Sequence, residues 1–529
     1  MSAADTARTP ATRAGRGWAA GVMCLGIFLL GMDLTVLNVA VPQLRDGLGA
    51  TTSQVQWIVD AYALVLGGTV LAVGALTDRW GRRRCFVLGV TLCAAASVGG
   101  ALAGQPWEVV LARCGMGAGA SLLMPATLGV LHHLFPEAAL RARAVAAWAA
   151  VGGLGGLSGP VVGGWLVEHS SWRAAFWINL PLAALIVCAA LLVVPESRGH
   201  RDAGFDLAGA ALSTGGLLAL VWAIIQGPHD GWTSLPVVAG FSAAGLLLIG
   251  FVGWERRTGS PMLPLPLLLR PGVGWAALSL ALMSFALFGA LFVLTLYLQG
   301  VLGYSPLAAG LRTLPLPAGL AVGAALAVAA QRTWGSKATV VTGLLVVSAA
   351  FVVCATTTDT SGYGRCAMFQ AIAGLGAGLV AAAGTESVME SVPTEQAGLG
   401  SAINDATRQV GSALGVAVQG SLLSSVFTSS FLDALADLRV PSQIADAARH
   451  SLIAVPDRAA ALPAAQRLAV LGEARHAFVQ AMTLTAAVAG TVTLLTAAAA
   501  ARWLVAGRPV TPLSRSKAGP LPAENVQRV

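Results

Sequence analysis

Asp33 lies in the stretch Gly31-Met32-Asp33-Leu34-Thr35-Val36-Leu37-Asn38-Val39-Ala40-Val41-Pro42, inside a long apolar run. A charge at the centre of a membrane helix costs at least about 2.5–3.5 kcal/mol, so such a residue calls for a role. Asp33 stands about nine residues, or roughly 13 Å of helix, from the outer end of its run, too deep for a short carboxylate to reach water. Desolvation favours its protonated form, and a nearby cation, whether Arg113 or a positively charged ligand, favours the carboxylate. A group of this kind exchanges a proton for a cation, and competition between the two links the entry of one to the exit of the other. Asp60, in Trp57-Ile58-Val59-Asp60-Ala61-Tyr62, lies about one and a half turns from the same surface, and Arg113 about six residues from it. For these two, two readings stand side by side: they snorkel to water or pair structurally, or they help Asp33 to handle charge. Mutual pairing would lower the cost of burying all three.

Farther along, Asn404, Arg408, Gly411 and Gly415 recur at helical spacing and define one polar or small face. Asp405 flanks that face and is spaced to pair with Arg408 three residues on, or to take part in coupling. Glu386, at the inner end of its run, is either a solvated helix end or an inner proton or cation site; Glu390 and Glu395 read as loop charges. The seven histidines (His132, His133, His169, His200, His229, His450, His476) fall at run ends or in loops, with no nucleophile, metal or phosphate-binding constellation nearby. The seven cysteines sit mostly inside apolar runs without metal-like spacing and read as buried thiols. No catalytic residue, metal or cofactor is expected, and no filter-like segment or ring of charges suggests a channel.

The elements that must carry these residues are membrane helices. Of 529 residues 56% are hydrophobic and 11% charged, against roughly 25% charged in soluble domains, which excludes a soluble enzyme. About 20 apolar residues make a span. That criterion gives about fourteen: 18–42, 55–77, 85–104, 107–131, 142–167, 173–195, 206–226, 233–253, 274–298, 305–330, 338–356, 362–385, 400–424 and 477–503. The least regular are 305–330, with Arg312, Pro315 and Pro317, and 400–424, with Asp405 and Arg408. Basic residues cluster on alternate loops, among them Arg8, Arg13, Arg16, Arg141, Arg143, Arg198, Arg201, Arg256, Arg257, Arg332, Lys337, Arg508, Arg515 and Lys517, which places those loops and both termini in the cytoplasm. The net charge of +8 is therefore topological and does not point to nucleic acid. The first run is too long for a cleavable signal and reads as a retained anchor. The count divides as six, two and six: a tail 1–17, a bundle 18–195, an extra pair 206–253, a second bundle 274–503 and a tail 504–529. Residues 425–476 mix charges with leucines at helical spacing and read as short amphipathic helices at the outer surface. Two such bundles usually build a site between them near the bilayer midplane.

Three motifs sharpen this all-α integral membrane reading. Gly74-Ala75-Leu76-Thr77-Asp78-Arg79-Trp80-Gly81-Arg82-Arg83-Arg84, between the second and third runs, resembles the cytoplasmic loop signature of the major facilitator superfamily. The fifth run holds a glycine density that an ordinary soluble helix would hardly tolerate, from Gly152 through Gly155 to Gly164. In lipid these residues permit close helix packing and a bend at Pro160. Its order Gly159-Pro160-Val161-Val162-Gly163-Gly164 is similar to the antiporter signature of drug exporters in that superfamily.

The resemblance covers nearly the whole chain and points to the fourteen-helix drug:proton antiporter family, whose fold is two six-helix bundles plus two additional helices. Asp33, Asn38 and Pro42 resemble the first-helix motif, and Asp78, Gly81 and Arg82 the loop motif. Arg113 and Gly117 match the fourth-helix motif, although Met116 stands where the family usually carries glutamine. Trp172, Arg173, Phe176, Ile178, Asn179 and Pro181 are similar to the entrance of the sixth helix. Asp60 resembles most the branch that exports quaternary ammonium compounds and cationic dyes. The resemblance implies proton-driven efflux of lipophilic, cationic drugs across the cell membrane, with a small-molecule substrate, protons and the bilayer as partners. A dedicated exporter of one secreted antibiotic is the alternative; a membrane enzyme, a channel or uptake by symport fits less well.

Overall fold

A computed structural model describes residues 13–198, 206–259, 261–392, 397–438, 459 and 462–505. In lipid a backbone must satisfy its own hydrogen bonds, so each apolar run becomes a helix. The first half comprises α1 (Arg13–Leu48), α2 (Thr52–Trp80), α3 (Arg82–Leu102), α4 (Pro106–Leu134), α5 (Ala138–His169), the short α6 (Ala174–Trp177) and α7 (Asn179–Val193). A pair follows, α8 (Leu207–Asp230) and α9 (Leu235–Glu255). The second half comprises α10 (Leu265–Leu268), α11 (Pro271–Leu296), a π turn at Tyr297–Val301, α12 (Pro306–Leu311), α13 (Pro315–Ala355), α14 (Tyr363–Ser391), α15 (Ala397–Leu438) and α16 (Ala464–Trp503).

Among the described residues twelve helical stretches are long and apolar enough to cross a membrane. One of them, 306–355, turns at Gly335, whose φ of 81° no L side chain adopts comfortably, and so contains two crossings. With α2 added these give the fourteen expected. Two boundaries differ from the sequence reading. The run 305–330 is not one helix: α12 ends at Leu311, and α13 begins at Pro315, where a proline, lacking an N–H to donate and with its φ preset, best fits the first turn of a new helix. The outer segment is not a set of short surface helices where it is described. Instead α15 continues to Leu438 and α16 starts already at Ala464, each extending the membrane helix beyond its apolar run; residues 439–458 lie outside the described part.

The halves meet along two seams, α2 against α15 and α5 against α12. The α8–α9 pair leans on one of these, with Val221 and Ile225 packed on Ala63 and Leu64 of α2 and on Ala413 and Ala417 of α15. Its ends are pinned by Asp206, which caps α8 by accepting from the Gly209 N–H (2.8 Å) and accepts from Trp254 Nε1 (2.7 Å). Such a cap satisfies an otherwise orphaned helical donor. The outer face of α9, with Leu246 and Ile249, is exposed and fits a lipid-facing helix.

Candidate functional site

Asp33, on α1, and Arg113, on α4, sit in the interior of the first half, 1% and 2% exposed. Arg113 Nε donates to the Ile58 carbonyl of α2 (3.1 Å) and Nη1 to the backbone carbonyl of Asp33 (3.2 Å), while its guanidinium lies 4.5 Å from the centre of the Tyr62 ring. It thus ties three helices through backbone carbonyls and a π face, two partners suited to a desolvated guanidinium. Among the described residues both Asp33 carboxylate oxygens are buried without a hydrogen-bond partner. Arg113 and Asn179 are its polar neighbours, and Asn179 is itself held by its Nδ2 on Ser97 Oγ (2.8 Å).

Asp60 is equally buried, at 1%, and both its oxygens also lack a partner among the described residues. It does not join the other two. Arg113 engages Ile58 and Tyr62, four residues apart on one face of α2, and Asp60, two residues from each, falls on another face. On that face Gln56 donates to the Ala417 carbonyl (3.5 Å) and Gly67 packs on Ala406 and Gln409 of α15. Asp60 therefore lies at the seam between the halves. The expected ionic clustering of Asp33, Asp60 and Arg113 is corrected accordingly: no carboxylate lies within 4 Å of Arg113 among the described residues. Snorkelling fails as well, since neither side chain reaches the surface.

The glycine-rich α5 serves two neighbours at once. Gly155, Gly159 and Gly163 press on backbone atoms of Phe28, Met32 and Val36 of α1, so a Cβ at any of them would overlap that helix; Thr35 Oγ1 also donates to the Gly156 carbonyl (3.0 Å). Pro160 and Gly164 point the other way, onto Gly310, Pro306 and Leu307 of α12 in the second half. One turn on, Glu168 accepts from Ser305 Oγ (2.8 Å) and the Leu307 N–H (3.1 Å). A single motif therefore holds the helix bearing Asp33 and forms the second seam.

At the opposite end, Gly81 (φ 112°) turns the chain between α2 and α3. The Arg82 N–H bonds the Ser197 carbonyl (2.9 Å), and Arg82 Nη1 donates to the Gly129 carbonyl (2.8 Å). Arg83 donates its N–H to Glu196 Oε1 (3.1 Å) and Nη1 to the Val194 carbonyl (3.3 Å). These bonds tie the loop to α4 and to the segment after α7, all within the first half. Gly74 faces Pro125 with room to spare, Arg79 is exposed, and the Asp78 side chain lies outside the description.

In the second half, Asn404 accepts at Oδ1 from Thr385 Oγ1 (2.9 Å) and donates from Nδ2 to Asp405 Oδ1 (3.4 Å). Asp405 and Arg408 are both half-buried, and they come no closer than 4 Å, so the local ion pair expected from their spacing is not formed. Glu386, one residue after Thr385, is half-buried near Glu390. Gly411 and Gly415 pack on the carbonyls of Ala281 and Phe285 of α11, and Gln419 Nε2 donates to the latter (2.7 Å). Sequence reasoning missed Gln56 and Glu168. Each continues a helical face already marked by Asp60 or Gly164, four residues away, and that spacing was the available signal.

The model of the Major Facilitator Superfamily matches residues 23–416. The chain belongs to that superfamily. It spans the membrane, as its helices require. It is 33% identical to the tetracenomycin C resistance and export protein of Streptomyces glaucescens, over 93% of both chains. Identity to the multidrug efflux pump LfrA of Mycolicibacterium smegmatis is also 33%, over 93% of this chain and 97% of that one. The fold is similar to the inward-facing, occupied crystal structure of a bacterial homologue of the human lysosomal transporter Spinster (TM-score 0.65, 18% identity, covering 93% of this chain and 98% of that one).

Proposed function

We propose that this superfamily member is a proton-coupled antiporter that exports lipophilic, cationic drugs or antibiotics across the cell membrane, with both termini in the cytoplasm. The observation that carries the reading is Asp33: a fully buried carboxylate with no hydrogen-bond partner among the described residues, beside a guanidinium committed to backbone carbonyls. Such an acid is a ready acceptor for a proton or an organic cation, and the two exclude each other. Arg113 positions it by donating to its backbone carbonyl. Asp60, at the α2–α15 seam, senses the approach of the halves and contributes a second negative charge toward a cationic substrate. Asp405 and Glu386 form a secondary, half-exposed polar station. The loop from Gly74 to Arg83 keeps the first half rigid as it rocks, and α5 provides the sliding face against α12.

The relatives' names, which include both a multidrug pump and a single-antibiotic exporter, support export without choosing its breadth. The test is ethidium efflux from energised cells expressing wild type or Asp33→Asn, with and without a protonophore. Protonophore-sensitive efflux that falls to background in Asp33→Asn is expected. If a folded wild type moves no ethidium, the broad cation reading fails and a dedicated antibiotic exporter replaces it; efflux unchanged in Asp33→Asn would remove Asp33 from coupling.

A further inference from the structure

The face of α3 that no other described helix covers runs along Arg84, Leu88, Thr91, Ala95, Gly99 and Leu102, all exposed at helical spacing. In a membrane protein such a stripe faces acyl chains. At its Arg84 end it opens into a cavity of about 390 Å³ lined by Arg79, Trp80, Arg84, Cys85, Leu88 and Arg198. Three guanidinium groups therefore surround a space whose remaining wall is apolar, with Trp80 57% exposed and Leu88 47% exposed beside it. Among the described side chains the acid close by is Glu196, which lies 3.7 Å from Arg84 Nε and is already shared with Arg83. Arg79 and Arg198 have no carboxylate within 4 Å among the described residues. An amphipathic tryptophan at this level is the usual marker of the membrane–water boundary.

We propose that this cavity binds the phosphate of an anionic phospholipid headgroup, whose acyl chains lie along the Leu88 face of α3. Guanidinium groups match phosphate oxygens in pairs, and the apolar wall excludes a site built for a free, fully hydrated anion. Because Arg79 and Arg84 stand in the last turn of α2 and the first turn of α3, and Arg198 on the segment bonded to that junction, a bound lipid clamps the inner end of the first half. Assigning the lipid to the cytoplasmic leaflet rests on the orientation proposed above; the cavity itself does not.

The experiment is native mass spectrometry of the purified full-length protein in detergent, equilibrated with equal amounts of phosphatidylglycerol and phosphatidylcholine. Wild type should retain phosphatidylglycerol preferentially, and R84Q/R198Q should weaken that retention about fivefold for each arginine removed. R256Q/R257Q removes the same charge from exposed arginines at the same end, outside the cavity, and should leave the preference intact. Melting temperatures in detergent confirm that both variants are folded. Equal losses in the two double variants, or none in R84Q/R198Q, would overturn the site. Displacement of the lipid by inorganic phosphate at matched concentration would overturn the lipid as its occupant. None of these readouts depends on transport, so failure of the efflux reading leaves the proposal standing.

Discussion

The fifth helix of each half, α5 in the first and α15 in the second, packs glycines onto the first helix of its own half and reaches across to the other half. Gly155, Gly159 and Gly163 meet carbonyls and backbone of α1, as Gly411 and Gly415 meet carbonyls of α11. The same small-residue contact, a close approach that lipid-embedded helices rely on in place of hydrophobic segregation, is used twice. Charge is not. The helix gripped by α5 carries the sealed Asp33, whereas the helix gripped by α15 carries no ionisable group in its membrane section, and Asp405, an acid of that half, is half-exposed on α15 itself. Packing is thus the shared architecture of the halves and charge is what distinguishes them.

Arg113 is where this asymmetry should break most visibly. Arg113→Gln takes the guanidinium donor from the Ile58 and Asp33 carbonyls and the cation from the Tyr62 ring, and is expected to lower stability by about 2–4 kcal/mol. Arg408→Gln, at a half-buried position with no carboxylate within 4 Å, should cost less than about 1 kcal/mol. Thermal unfolding in detergent compares the two; equal losses would mean that the halves bury charge alike. A smaller effect tests the shared packing. Gly159→Ala sets a Cβ against Thr35 and the Met32 carbonyl and should cost about 1–3 kcal/mol. Gly153→Ala meets nothing within 4 Å and should gain up to about 1 kcal/mol, since alanine is the better helix former. If both glycines tolerate alanine, the α1–α5 contact is not the support of Asp33. The smallest effect is expected at Asp405→Asn, with efflux reduced less than about tenfold, or 1.4 kcal/mol of barrier. A loss as complete as that expected for Asp33→Asn would place coupling in both halves.

Much of this was legible before any coordinates. Asp33 declares itself because a lone acid in a long apolar run has few inexpensive explanations, and the Gly159–Gly164 motif declares close packing because glycine is otherwise a poor helix former. The direction of each side chain was harder to read. Depth along three separate runs put Asp60 level with Arg113, yet the phase of α2 turns Asp60 toward α15 and leaves Ile58 and Tyr62 to meet the arginine. Spacing alone offered Asp405 an ion pair with Arg408, but Asn404 and Thr385 hold that corner instead.

The sequence by itself determined that this is a membrane protein, the number of its membrane crossings and the presence of an acid, Asp33, inside the first of them, because hydropathy and the cost of intramembrane charge act locally along the chain. Only the tertiary structure decided which charges meet, which face of α5 serves which half, and where an arginine-lined cavity opens beside lipid. Those depend on helix rotation and on contacts between residues more than a hundred positions apart, such as Glu168 with Ser305, which no local pattern encodes.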